Sequence, residues 1–214
     1  MLDRAARSTI RNFSTLFLVC LVVFLPLEMT YAFLHRDAIE VRELTPFITE
    51  LEQGQRVNGV GADELDAAER DRQILTVIEL ALVPLMISAG RRVLERDAGR
   101  EIPTATDAYK HAFTPPRIGP IPGPSSLGAL GLSIVFSLLV GFAVYKAGGL
   151  VLDVFPDRFD FVILGTVEAC ARSVGLPWFL VTWIETARSR ERRVRPSAPG
   201  SPFARPPGRR QGKL

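Results

Sequence analysis

Three carboxylates and one guanidinium stand in stretches of this sequence that otherwise exclude charge. Glu28 lies in NFSTLFLVCLVVFLPLEMTYAFL, Glu79 in ILTVIELALVPLMISAG, and Glu168 and Arg172 in the apolar run from Phe161 to Ile184. A charge in the hydrocarbon of a bilayer costs about 2.5–3.5 kcal/mol on insertion scales, so it needs a partner or a wet cavity. At a rise of about 1.5 Å per helical residue, all four fall in the outer half of one bundle. Two kinds of chemistry fit: a proton or cation path, or a polar clasp that fixes how the helices are rotated. Glu168 and Arg172 also stand four residues apart, in the favourable order for a pair within one helix. That pairing alone leaves Glu28 and Glu79 unsatisfied.

Positioning these groups requires helices that cross a membrane, each with about 20 apolar residues. The chain has four such blocks: Phe13 to about Leu34, Ile74 to Gly90, Ser126 to Leu152, and Phe161 to Ile184. A mean hydropathy of +0.18 and a net charge of +3 look like those of a soluble domain only because charge and apolar residues are segregated. Residues 1–12 carry three Arg against one Asp, and the segment 35–73 carries five basic and ten acidic residues. Residues 91–117 are basic again, the short third connection is acidic, and the tail from Glu185 onward holds nine Lys or Arg against Glu185 and Glu191. This alternation is the pattern of four spans whose basic segments stay in the cytoplasm.

The expectation is therefore an all-α integral membrane bundle of four transmembrane helices in two hairpins, residues 1–113 and 126–187. A Pro-rich linker, 114–125, joins them, and a disordered basic tail, 188–214, follows. Both termini are expected in the cytoplasm and the protein in the cell membrane. A basic start, an apolar run and Thr30-Tyr31-Ala32 also fit a secretory signal cleaved near residue 32. Against cleavage, the apolar run continues to Leu34.

Between the spans, residues 36–72 are expected to form a solvated outer connector with some helix, ADELDAAERDRQIL leading into the second span. On the inner side the second helix runs on through RRVLERDAG and stops at Gly99. Thr104 or Thr106 caps a short helix, TATDAYKHAF, that turns Ala105, Ala108, His111 and Ala112 to the membrane or the bundle, with Tyr109 and Phe113 as interfacial rings. In the third span Ala129, Ser133, Ser137 and Gly141 recur every four residues, a strip of small side chains that lets a helix approach closely. That helix is a neighbouring span or one from a second copy. Cys20 and Cys170 read as small apolar side chains.

Nothing in the sequence supports catalysis. His35 and His111 fall on opposite sides of the membrane, so no paired-histidine metal site is expected. There is no P-loop, Rossmann fingerprint or G-x-S-x-G elbow, and no cofactor is implied. The tail suits anionic headgroups, at about 1 kcal/mol per basic residue near the surface. With only Phe203 as a stacking ring, it does not suit nucleic acid.

Arg11-Asn12-Phe13 at the first span, Pro84 in the second, and Gly99 through Pro103 to Asp107-Ala108 resemble the multi-pass membrane segments of bacteria, including the membrane domain attached to some glycerophosphodiester phosphodiesterases. The likeness covers about half the chain. Those relatives usually have more spans, and no phosphodiesterase residues are present, so no activity carries over. The expected role is non-enzymatic: a scaffold or accessory subunit of a membrane assembly, surrounded by lipid and contacting a protein partner or a second copy. A small transporter or channel using Glu28, Glu79, Glu168 and Arg172 is the alternative, and a lipid-handling protein a third reading.

Overall fold

The computed structural model describes residues 2–39, 56–57, 60–113, 123–152 and 160–194. Much of the outer connector, most of the Pro-rich linker, the acidic third connection and the basic tail beyond residue 194 lie outside the described residues. What is described is helical, apart from one small strand pair and the connections.

A ten-residue helix, α1 (Leu2–Arg11), precedes the first apolar helix, α2 (Phe13–Leu34). It turns Ala5 and Thr9 inward, so the basic start has an inward face that charge counting alone conceals. Before the second long helix, β1 (Arg56–Val57) pairs antiparallel with β2 (Val60–Gly61), a hairpin that the sequence reading did not anticipate. The Glu64 carboxylate then accepts from the Gly61 N–H at 3.0 Å and caps α3 (Ala62–Ala98).

This 37-residue helix absorbs ADELDAAERDRQIL, the second apolar block and RRVLERDA without a break. It stops at Gly99, where the sequence places its end. Gly99 has an ordinary φ of −78°, and the left-handed residue is Arg100, at φ 61°. The Arg100 and Glu101 N–H groups bond back to the carbonyls of Asp97 and Arg96 at 3.0 Å each, which closes the helix in a Schellman turn. Thr104 caps α4 (Ala105–Ala112) by accepting from the Asp107 N–H. Ala108 and Ala112 are buried and Ala105 half-buried on the bundle side, while His111 is exposed. A 3₁₀ turn (Pro124–Ser126) opens α5 (Leu127–Leu152), and α6 (Asp160–Val194) follows.

Among the described residues three helices are long and apolar enough to cross a membrane: α2, α3 and the 127–150 stretch of α5. The 35-residue α6 is not among them, and it carries Glu168 and Arg172 inside its apolar stretch. It is nonetheless the centre of the bundle, since α1, α2, α3 and α5 all pack on it. The core that α2, α3 and α6 share includes Leu16, Val19, Met86, Val93, Leu180 and Val181.

The small-residue strip of α5 lies on α6. A Cβ on Gly175 would stand 2.4 Å from the Ser137 carbonyl oxygen, and one on Gly141 would stand 3.1 Å from that of Ala171. Ser133 is buried and Ala129 half-buried on the same side. Lower positions on one helix meet higher positions on the other, so α5 and α6 run antiparallel, with backbones in close approach. Gly175→Val is therefore expected to cost about 1–3 kcal/mol in unfolding of the detergent-solubilised protein. Gly131→Val, where a Cβ meets nothing within 4 Å, is expected to stay within about 0.5 kcal/mol of the parent.

Candidate functional site

Glu28, Glu79, Glu168 and Arg172 converge between α2, α3 and α6, and a fifth charge, Arg72, joins them. Glu28 is at the middle and has no exposed surface. Its Oε2 accepts from Arg72 Nη1 at 2.6 Å, and its Oε1 lies 3.0 Å from Arg172 Nη1. Arg72 Nη2 donates to Glu168 Oε2 at 2.5 Å. Arg172 Nη1 also donates to Glu79 Oε2. The result is a ladder that runs Glu168, Arg72, Glu28, Arg172, Glu79, in which each guanidinium is shared by two carboxylates.

This arrangement departs from the simplest pairing. Glu168 and Arg172 stand four residues apart on α6, yet each reaches for a different helix. The reason is the burial of Glu28: an unpaired carboxylate there is far costlier than an unmade surface-type pair. Two cations from two helices satisfy it.

Several local contacts set the geometry. A Cβ on Gly165 would come within 3.3 Å of the Glu28 carbonyl oxygen and 3.0 Å of Ala32 Cβ, so glycine lets α6 close on α2 beside the carboxylate. The Arg72 guanidinium lies 5.0 Å from the Tyr31 ring centroid, a cation–π contact. The Tyr31 hydroxyl donates to the Ala68 carbonyl at 3.2 Å, and His35 meets Asp71 at 2.9 Å. These hold the start of α3 against the end of α2.

Arg72 escaped the sequence reading because it sits among ten acidic residues in a segment assigned to solvent. The signal was present, however. It precedes Glu79 by seven residues, two helical turns, and so shares its face once α3 is carried back past Ile74.

Opposite the cluster, salt bridges tie the other end of the bundle: Arg11 with Asp97 at 2.9 Å, Arg96 with Asp107 at 2.9 Å, and Arg91 with Glu191 at 3.2 Å. The Tyr109 hydroxyl donates to the Val19 carbonyl, and burial pushes that phenol well above its ordinary range. It therefore stays a donor. The start of α2 and the ends of α3 and α6 thus lie at one end, and the charge ladder lies toward the other.

Two cavities border the ladder. One, of about 300 Å³, is lined by Tyr31, Ile39, Glu69, Arg72 and Glu168 at the end where α2 finishes and α3 begins. The other, of about 540 Å³, lies between α3 and α5 over a floor of α6. Its floor holds Glu168 and Arg172, Glu79 lines it from α3, and its walls are otherwise apolar, among them Phe24, Leu80, Leu138 and Phe142. Leu80, Leu138 and Phe142 are exposed, so this cleft opens sideways, where the bundle would meet lipid. Among the described residues no group of three or more His, Cys, Asp or Glu is arranged to hold a metal ion. Cys20 and Cys170 form no disulfide.

Compared with family models, with curated proteins and with solved structures, the chain matches none of them.

Removing one partner from such a cluster strands a buried charge. Arg172→Met is expected to lower stability by about 3–5 kcal/mol in unfolding of the detergent-solubilised protein. Adding Glu79→Met to that variant is expected to recover part of the loss. If the loss in the double variant equalled the sum of the losses in Arg172→Met and Glu79→Met alone, the two groups would not be coupled.

Proposed function

We propose that this chain is a four-span membrane protein, with α6 as the fourth span and both termini on the cytoplasmic side. It binds a small amphiphile at its charge cluster and passes it between the bilayer and the outer end without altering it chemically. The length of α6, about 50 Å at 1.5 Å per residue, supports a spanning role. So does the pairing of its Glu168 and Arg172 with groups on other helices, which removes much of the cost of carrying them. The shared end of α1, the close of α3 and the close of α6, together with the basic segments there, supports the orientation.

The observation that carries the functional reading is that Glu168 lines both cavities. An apolar cleft that ends on a few convergent polar groups is the general form of a small-molecule site. Here it shares Glu168 with a second cavity, which Glu28, Glu69 and Arg72 also line. Ionisable groups inside a membrane mark ligand or ion pathways more often than idle structure.

A second reading, a non-enzymatic scaffold or accessory subunit of a membrane assembly, rests on α5. This helix packs along α6 and makes at most marginal contact with the other long helices. Its side away from the cleft leaves Leu132, Val135 and Leu139 exposed, room for a partner helix or a second copy.

Native mass spectrometry of the protein released from lipid nanodiscs separates the two. One retained amphiphile per chain is expected, and Leu138→Trp, which fills the cleft, should reduce its occupancy severalfold. A bare chain, or an adduct indifferent to that substitution, would overturn the binding reading. Recovery mainly in a stable complex with other proteins would favour the second.

A further inference from the structure

The charge count of the ladder specifies the ligand more narrowly. Glu28, Glu79 and Glu168 face Arg72 and Arg172, so the cluster holds three formal negative charges against two positive ones. Both guanidiniums are already divided between two carboxylates, which leaves little to offer an anionic headgroup. The surplus is on the acceptor side. Glu79 is more than nine-tenths buried, lines the cleft, and its Oε1 has no hydrogen-bond partner among the described residues. A buried acceptor of this kind is costly unless something satisfies it.

We propose that the cleft between α3 and α5 is a binding site for a lipophilic monovalent cation. The Glu79 Oε1 receives its charge, and its apolar body lies against Phe24, Leu138 and Phe142. One positive charge balances the cluster, where an anion would add to an imbalance already in a medium of low dielectric. A volume of about 540 Å³ suits a compact organic cation rather than a metal ion, and aromatic side chains on the walls can carry a cation as well as a neutral body. Lys146 is the other cation nearby. Its ammonium lies 5.5 Å from the Phe142 ring centroid and 6.0 Å from that of Tyr145, but it is exposed and does not line the cleft. It is therefore free to reach the interface. This inference rests on reading the cluster as a ligand site.

Two probes of the same tetraphenyl shape and opposite charge test it. Tetraphenylphosphonium and tetraphenylborate would be titrated onto the full chain in phosphatidylcholine nanodiscs, with uptake by empty nanodiscs subtracted. Saturable phosphonium binding at one per chain is expected, at least tenfold tighter than borate. Glu79→Gln should weaken phosphonium binding at least tenfold. Leu138→Trp, which keeps every charge, should do likewise, and it decides the matter if Glu79→Gln does not stay folded. Borate binding as tight as phosphonium would overturn the charge assignment but leave a ligand site standing. Phosphonium binding unchanged by Leu138→Trp would place the cation elsewhere. Saturable binding of neither ion would overturn the inference, and retained amphiphile by native mass spectrometry would then show whether the broader binding reading falls with it.

Discussion

The carboxylate of Glu28 is the constraint on which the rest of the bundle depends. It has no contact with solvent, and it meets one guanidinium from α3 and one from α6. At about 2.5–3.5 kcal/mol each, five unpaired charges in a bilayer would cost on the order of 15 kcal/mol. That is as large as the whole stability of a typical domain. The pairing is therefore a condition for the fold to exist in a membrane. Because each arginine spans two carboxylates on different helices, satisfying Glu28 also fixes the rotation of α3 and α6 about α2.

Around that constraint the two ends of the molecule are built differently. Toward the end that carries Arg11 of α1, Asp97 of α3 and Glu191 of α6, the helices are closed by ion pairs and by the Tyr109 hydroxyl. There the core residues Leu16, Val93 and Ile184 are almost fully buried. Toward the ladder, packing loosens into two cavities that meet at Glu168. A clasp alone needs no cavities beside it. On the reading proposed above, a surplus of acceptors beside an apolar cleft is what a charged, greasy ligand would meet.

Much of this was legible in the sequence, for identifiable reasons. Long apolar blocks write their own boundaries, so α2 and α5 fall where composition puts them. The small-residue strip showed its period because α5 carries no charge to obscure it until Lys146. What was hidden depended on tertiary pairing. Arg72 is chemically indistinguishable from the loop charges beside it, and only the unbroken run of α3 brings it over Glu28. The inner face of α1 is two residues, Ala5 and Thr9, too few to register as a pattern. The left-handed turn fell on Arg100 rather than Gly99, because the hydrogen bonds of Arg100 and Glu101 set the position of the cap. Glu168 and Arg172 have the spacing of a local pair, yet the demands of Glu28 and Glu79 override it.

The central claim is that both arginines meet Glu28 inside the bundle. Dipolar-recoupling solid-state NMR tests it most directly, using guanidinium-15N and carboxyl-13C labels on the protein in bilayers. The expected result is close contact between guanidinium nitrogens and a Glu carboxyl carbon that diminishes in Arg72→Lys, in Arg172→Lys and in Glu28→Gln. Contacts unchanged by all three substitutions would contradict it.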